Sequence, residues 1–363
     1  MATANRAYSL NSVSGKHRLF DFLIALVLVL SFLSSNTALA APAAATKGAS
    51  KGSTAPAAKA SSRPASTLQS AKQSPLTPVL VRPKAGGKIC LWKVAGESGA
   101  TLYLLGTIHV FKPEYYPLPA EMEKAFEKAR ALLVEIDITK SDKLKTQQLL
   151  QQKGVYYPPD GLDKHVSSET LGAVQDYCQK NNLPFSNVLR MRPWLVAITI
   201  MQMELQRLGY STNAGIDLHF MHEAIAKGKK IVGLETEEFQ LGVFSGFPAD
   251  LQDLMLKLTL VDLALLKDDA GDMMKTWNSG DEKAMDEILC KDIKEHPELM
   301  PVQEKLLYDR NVTMAEKLEL YLKGNDTYLA AVGTGHLVGS RSIIELLKQK
   351  GYKVSQIVVG EEI

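Results

Sequence analysis

Side chains able to do acid–base or metal chemistry follow four short apolar runs of this sequence. His109 and His336 each close a Gly-x-x-His turn, and Glu135 and Glu235 lie at the ends of two other runs. If the runs are strands of an open α/β sheet, their carboxyl ends form the edge where such sheets bind ligands. Glycine allows a sharp turn and a close backbone approach to a ligand, so we expect both imidazoles to point into one cleft.

Two histidines with one or more carboxylates form the ligand set of a divalent-metal hydrolase. The metal lowers the pKa of a bound water and so supplies hydroxide at neutral pH. A neighbouring carboxylate can take the proton of that water and return it to a leaving amine. Glu135 fits this role best, because its apolar neighbours leave the carboxylate partly desolvated. Each signal is short by itself, so the prediction depends on the repeated turn at two strand ends and the acids at two others.

The elements that must position these residues follow from hydrophobic periodicity. A hairpin is predicted over 89–105 and a buried strand over 131–136. The pattern from 139 to about 323 is largely helical, apart from a short strand at 230–234, and residues 328–359 return to strand, helix and strand. Because the two β-rich ends must pair, we predict an α/β fold with a central mixed sheet flanked by helices and a large helical insertion between the N- and C-terminal β-rich parts.

The N-terminal part of the chain is typical of an exported protein. A basic start, an apolar run at 22–33 and Ala-Leu-Ala at 38–40 predict a signal peptide over 1–40, with an uncleaved anchor as the alternative. Residues 41–87, rich in Ala, Pro, Ser and Lys, predict a disordered tether before an α/β domain at 88–363. We therefore expect a periplasmic protein without a transmembrane anchor after cleavage. Secretion and tethering to a surface are the alternatives.

Charge and cysteine content narrow the class of protein further. The formal net charge is +2, and much of the basic excess precedes residue 88, which argues against a nucleic-acid partner. The three cysteines, Cys90, Cys178 and Cys290, lack a metal-binding spacing and leave one disulfide or none as alternatives. His219 and His222 are three residues apart, whereas a zincin helix needs a spacing of four. A serine nucleophile elbow is also missing from the sequence.

Taken in order, the motifs resemble the TraB/GumN family from about residue 88 to the end. They comprise both histidine turns, Val-Glu at 134–135, Arg-Pro-Trp at 192–194, Gly-Ile-Asp at 215–217, Gly-Leu-Glu-Thr at 233–236 and Arg-Asn at 310–311. The family looks related to the TIKI metalloproteases and, more remotely, to erythromycin esterase-like and haem-binding ChaN-like proteins. The resemblance implies that His109, His336 and Glu135 form the metal and catalytic set. It favours manganese or cobalt, with zinc as an alternative, and a peptide or protein substrate.

Three other residues have roles that the sequence leaves open. Arg310 either stabilises an oxyanion or clamps a substrate carboxylate, or it pairs with Glu235 or Asp217 to hold the sheet to the helices. Glu235 is a candidate for orienting a ligand histidine. Asp217 begins a predicted helix after Gly215, where helix capping is the favoured role.

Three functions are compatible with these residues. The first is an exported metal-dependent hydrolase, most directly a peptidase, that activates water with the two histidine turns and Glu135. The second is a metal-free, esterase-like hydrolase that uses the same His/Glu cluster as general acid and base. The third is a non-enzymatic protein that binds haem or a cell-surface polymer. The oligomeric state stays open at this level.

Overall fold

The computed structural model describes residues 83–363. The predicted signal peptide and most of the predicted tether lie outside the described residues, so these segment bounds stay predictions. No helix within 83–363 is both long enough and apolar enough to cross a membrane.

A six-stranded mixed sheet lies at the centre, with the strand order β4-β3-β5-β2-β1-β6. Its strands are β1 Lys88–Ala95, β2 Thr101–Thr107, β3 Ala131–Val134, β4 Lys230–Gly233, β5 Thr327–Gly333 and β6 Lys353–Val358. Strands β4, β3, β5 and β2 are parallel to one another, whereas β1 is antiparallel to both β2 and β6. The first and last strands are therefore neighbours, which confirms the predicted mixed sheet and the pairing of the two β-rich ends.

The central strands are apolar on both faces. Every residue of β3 is buried, and so is every residue of β2 after Thr101. Parallel strands covered on both faces carry continuous apolar runs rather than an alternating pattern. The antiparallel hairpin of β1 and β2 pairs Leu91 with Leu105 and Ala95 with Thr101. Its turn contains Gly99 at a φ of +90°, a backbone conformation that glycine adopts without steric cost.

Helices surround the sheet and form most of the chain between β3 and β5. They are α1 Ala120–Lys128, α2 Lys143–Gly154, α3 Ser168–Lys180, α4 Phe185–Val188, α5 Pro193–Arg207, α6 Ile216–Ala226, α7 Glu237–Ser245, α8 Ala249–Asp262, α9 Leu266–Ser279, α10 Glu282–Leu289, α11 Lys291–Glu295, α12 Met300–Gln303, α13 Asp309–Leu322 and α14 Ile343–Gln349. Helix α6 packs against β3, α9 against β1 and α13 against β2. The predicted helical insertion is confirmed, with β4 as its strand.

The helical insertion has a small core of its own. Helices α3, α5 and α8 meet around Val174, Ile200 and Leu256, which form a buried cluster separate from the main core. The cysteines do not link these parts, because Cys90, Cys178 and Cys290 are all free thiols within the described residues. Of the two disulfide alternatives, the structure therefore has none.

Candidate functional site

The carboxyl ends of the four parallel strands lie along one edge of the sheet. Thr107 of β2 pairs with Gly333 of β5, and Val134 of β3 pairs with Gly233 of β4. Each strand end is followed within three residues by one of the predicted site residues. These are His109, Glu135, Glu235 and His336.

The two histidine turns contact each other directly. The Thr334 hydroxyl donates a hydrogen bond to the carbonyl of Thr107, with a separation of 3.0 Å. An added Cβ at Gly106 would lie only 2.9 Å from Thr334 Oγ1, so the backbones approach as closely as they do because glycine has no side chain. The Trp277 indole of helix α9 donates to the Gly106 carbonyl at 2.9 Å. The turns are thus held as one unit.

Glu135 lies at the centre of the site. Its Oε1 accepts a hydrogen bond of 2.7 Å from the Gly333 N–H. The same oxygen lies 3.6 Å from His109 Nε2 and 3.8 Å from His336 Nε2. All three side chains are buried. One carboxylate oxygen therefore faces both imidazoles.

The other oxygen of Glu135 is held by Arg310 and Gln240. Oε2 accepts hydrogen bonds from Arg310 Nη2 at 2.5 Å and from Gln240 Nε2 at 3.1 Å. Both donors also reach Glu235, and Arg310 Nη1 donates to the Leu306 carbonyl at 2.9 Å. The contacts of Arg310 correspond to its predicted pairing with Glu235, extended to a second carboxylate. Glu235 contacts this guanidinium rather than a histidine.

Opposite charges keep Glu135 and Arg310 ionised. Burial raises the pKa of Glu135, but the charge of Arg310, the nearby imidazoles and the hydrogen bond from the Gly333 N–H lower it by more, so the pKa lies well below its usual range. Burial lowers the pKa of Arg310, and the charges of Glu135 and Glu235 more than offset this effect. The pair is therefore a buried, hydrogen-bonded ion pair.

His336 is held by a neighbour that the sequence analysis noted only as part of a motif. Its Nδ1 lies 2.6 Å from Asn311 Oδ1, and Asn311 Nδ2 donates to the Arg341 carbonyl at 2.9 Å. Burial and the charge of Arg310 lower the pKa of His336 to about 3. The imidazole is consequently neutral over the ordinary pH range.

His109 faces Asp217 with its other nitrogen. The 3.3 Å between His109 Nδ1 and Asp217 Oδ1 is a charge contact without hydrogen-bond alignment, and neither buried atom has a hydrogen-bond partner among the described residues. Burial lowers the pKa of His109, but Asp217 and then Glu135 raise it above its usual value. Asp217 lies in the first turn of helix α6, as expected, but the N-cap residue is Gly215, and Asp217 Oδ1 lies beside His109 without a hydrogen bond.

A π-helix over Glu304–Tyr308 leads directly into helix α13. Such wide turns are frequent at functional sites. Successive residues of a helix point about 100° apart because a turn contains about 3.6 residues. Arg310 accordingly reaches Glu135, while the next residue, Asn311, reaches His336.

His219 and His222 lie outside this cluster, as their spacing suggested. His219 Nε2 is 2.9 Å from Glu123 Oε1 and its ring contacts Tyr116, while His222 is exposed. Gln240, Asn311 and Asp217 are the contacts that the sequence analysis missed. The Gly-Ile-Asp and Arg-Asn motifs were the available signals for two of them, whereas nothing local marked Gln240.

Glu135 and the two histidines that face its Oε1 carry the types of ligand atom that bind divalent cations. Imidazole nitrogen and carboxylate oxygen suit manganese, cobalt and zinc. Ligand atoms of a tetrahedral site with bonds of about 2.0–2.1 Å lie about 3.4 Å apart, somewhat closer than the 3.6 and 3.8 Å found here. As they stand, no three His, Cys, Asp or Glu side chains within 83–363 are arranged to hold an ion.

Formal charge supports the same fit. The cluster contains the carboxylates of Glu135, Glu235 and Asp217. Glu135 and Glu235 pair with the buried guanidinium of Arg310, whereas Asp217 lies beside His109. With neutral imidazoles the cluster therefore has an excess of two negative charges. Buried charge without compensation is costly, so the cluster favours a proton on His109 or a divalent cation.

Fold and site together define an α/β protein with a buried His/Glu centre at the carboxyl edge of a parallel sheet region. The model of the TraB/PrgY/gumN family matches residues 90–356, and the chain belongs to that family. This confirms the resemblance drawn from the motifs. No solved structure matches the chain.

Known relatives include bacterial and animal proteins. The uncharacterized protein YbaP of Escherichia coli (strain K12) is 25% identical over 250 residues, which are 68% of this chain and 87% of YbaP. A metalloprotease TIKI homolog of Amphimedon queenslandica is 23% identical over 322 residues, covering 75% of this chain and 62% of that protein. Metalloprotease TIKI2 of Danio rerio is 24% identical over 310 residues, or 72% and 59% of the two chains. The chain thus spans about three fifths of these TIKI proteins.

Proposed function

We propose that this protein is an exported metal-dependent hydrolase, most directly a peptidase acting on peptides or proteins in the periplasm. The observation that carries the proposal is the convergence of His109 Nε2 and His336 Nε2 on Glu135 Oε1. The names of the TIKI relatives support metal-dependent proteolysis, and the N-terminal sequence supports export. His109, His336 and Glu135 would hold the ion, which would polarise the scissile carbonyl and lower the pKa of a bound water.

The residues around Glu135 prepare it for this role. Arg310 and Gln240 hold Oε2, which leaves Oε1 to face the imidazoles. Glu235 in turn anchors Arg310, so Arg310 and Glu235 act on the reaction through the orientation of Glu135. Arg310 would have to release a carboxylate before it could bind a substrate or an oxyanion.

Substrate access requires movement around the site. The side chains of His109, Glu135 and His336 are each about 2% exposed. Two surface cavities of about 480 and 350 Å³ lie on the helical insertion, and no site residue lines either of them. We therefore propose that helices of the insertion move to admit substrate, as lids do in many enzymes.

The first experiment measures the metal content of the full chain by mass spectrometry after dialysis against manganese, cobalt or zinc. We expect near-stoichiometric metal in the wild type and none in the His109→Ala/His336→Ala variant. The matched control is His219→Ala/His222→Ala, which removes two histidines outside the cluster and should bind metal as the wild type does. Peptide cleavage that needs the bound ion would then support the proposed peptidase activity. A wild type that binds no ion under any condition would refute the proposal.

A metal-free, esterase-like hydrolase is the second candidate. It is favoured by the contact of His109 with Asp217, because a histidine beside a carboxylate is the usual general base of acyl transfer. It is also compatible with the lack of a ready-made ion site in the described part of the chain. Ester hydrolysis that persists in excess chelator, but is lost in His109→Ala, would support this candidate over the first.

A further inference from the structure

Asn311 connects His336 to the main chain. Its Oδ1 lies 2.6 Å from His336 Nδ1, and its Nδ2 lies 2.9 Å from the carbonyl oxygen of Arg341. Both side chains are buried, with 1% of Asn311 and 2% of His336 exposed. The hydrogen bond to His336 is therefore shielded from water, whereas the one to the exposed Arg341 is partly buried. The direction of each bond can be worked out from its partners.

The Arg341 carbonyl determines how the Asn311 amide is oriented. A carbonyl oxygen only accepts hydrogen bonds, so the amide NH2 group must face it. The reversed amide would place two oxygens against each other and leave the Arg341 carbonyl without its donor, which is unfavourable. The side-chain oxygen of Asn311 therefore faces His336. That oxygen is also only an acceptor, so the proton of the neutral imidazole must lie on Nδ1.

A proton on Nδ1 leaves a lone pair on Nε2 of His336. That nitrogen faces Glu135 Oε1 at 3.8 Å, and the oxygen is an acceptor that already receives the Gly333 N–H. Two electron-rich atoms thus face each other in a buried site. A cation is the partner that both atoms can share, because imidazole binds metal through the nitrogen opposite to its hydrogen-bonded N–H.

We infer that Asn311 is a positioning residue that fixes the Nδ1–H tautomer of His336 and so presents Nε2 as a metal ligand. The hydrogen bonds fix the tautomer of the neutral imidazole, whereas its consequence for metal binding rests on the proposed function. Arg310 and Asn311, which are adjacent in helix α13, then orient different residues of the site. Arg310 holds the far oxygen of Glu135, and Asn311 holds the far nitrogen of His336.

Nitrogen NMR of the full chain, with its histidine rings labelled with ¹⁵N, tests the tautomer without metal. The His336 signals are identified as those that disappear in His336→Gln. We expect a protonated Nδ1 and an unprotonated Nε2 in the wild type. In Asn311→Leu the Nδ1–H form should no longer dominate. A wild-type His336 protonated on Nε2 would overturn the inference, and so would an unchanged tautomer in folded Asn311→Leu.

Calorimetric titration with manganese alone tests the consequence for binding. Loss of a hydrogen bond that orients a ligand histidine typically weakens metal binding about 10–100-fold, so we expect this loss in Asn311→Leu and substantial recovery in Asn311→Asp. Val312→Ala is the control, because the adjacent Val312 side chain is 46% exposed. Equal affinity in all variants would contradict the positioning role. A wild type that binds no metal would refute the proposed function instead, and the NMR result would then decide the tautomer alone.

Discussion

Arg310 Nη2 lies 2.5 Å from Glu135 Oε2, although 175 positions separate the two residues along the chain. The ion pair joins helix α13, the last helix of the helical insertion, to the end of strand β3, which precedes the insertion. Both side chains are about 2% exposed. The site and the closure of the fold around the insertion thus depend on the same contact.

Replacement of Arg310 should therefore destabilise the whole domain. Arg310→Met leaves Glu135 and Glu235 as buried carboxylates without their cation, and the loss of one partner of a buried pair costs about 3–5 kcal/mol. Urea unfolding of the full chain measures this change. Arg341→Met is the control, because the Arg341 pair with Glu304 is half-exposed and should contribute only about 0.2–1 kcal/mol. Equal losses in the free energy of unfolding would show that the buried pair stabilises the domain no more than the exposed pair does.

The close contact of the two histidine turns predicts that a single methyl group at Gly106 will disturb the site. Gly106→Ala places Cβ 2.9 Å from Thr334 Oγ1, and such overpacking typically costs about 1–3 kcal/mol. Metal capture should weaken with it, because His336 follows Thr334 in the same turn. Gly172→Ala, within helix α3 and with open space around its Cβ, should instead stabilise the protein by about 0.5–1 kcal/mol. Thermal unfolding and metal titration of both variants test this difference. A Gly106→Ala variant with wild-type stability and metal affinity would contradict the prediction.

Asp217 should matter for metal binding although it does not face the ion. Asp217→Asn removes the carboxylate charge that lies 3.3 Å from His109 Nδ1. Affinity for manganese should fall about 10–100-fold, as is usual when the partner of a ligand histidine is changed. Asp250→Asn alters an exposed acid in the first turn of helix α8 and should leave the affinity unchanged. A normal affinity in Asp217→Asn would mean that Asp217 has only a structural role.

Metal should stabilise the folded chain if the ion binds only to the native site. A free ion concentration about 100 times the dissociation constant adds about 2.7 kcal/mol to the free energy of unfolding. Chelator should remove this gain in the wild type. The variant His109→Ala/His336→Ala should show the same stability with and without the ion. Stabilisation that persists in this variant would indicate that the ion binds elsewhere.

The sequence by itself was sufficient for the sheet and for the residues at its edge. Apolar runs that end in Gly-x-x-His or in an acid are local patterns, and local patterns indicate where a strand ends and which side chains come directly after it. The positions of His109, Glu135 and His336 at this edge were therefore predictable, as was the family. The meeting of the first and last strands was also predictable, because isolated strands at the two ends need partners.

Tertiary structure decided which side chains hold this set in place. Gln240 reaches Glu135 across 105 positions and Asn311 reaches His336 across 25. Asp217 turned inward, although its place in the first turn of a helix favoured a cap. These contacts depend on the strand order and on how each helix is rotated against the sheet. Neither property follows from the residues of one segment, since both are set by packing between segments far apart in the chain.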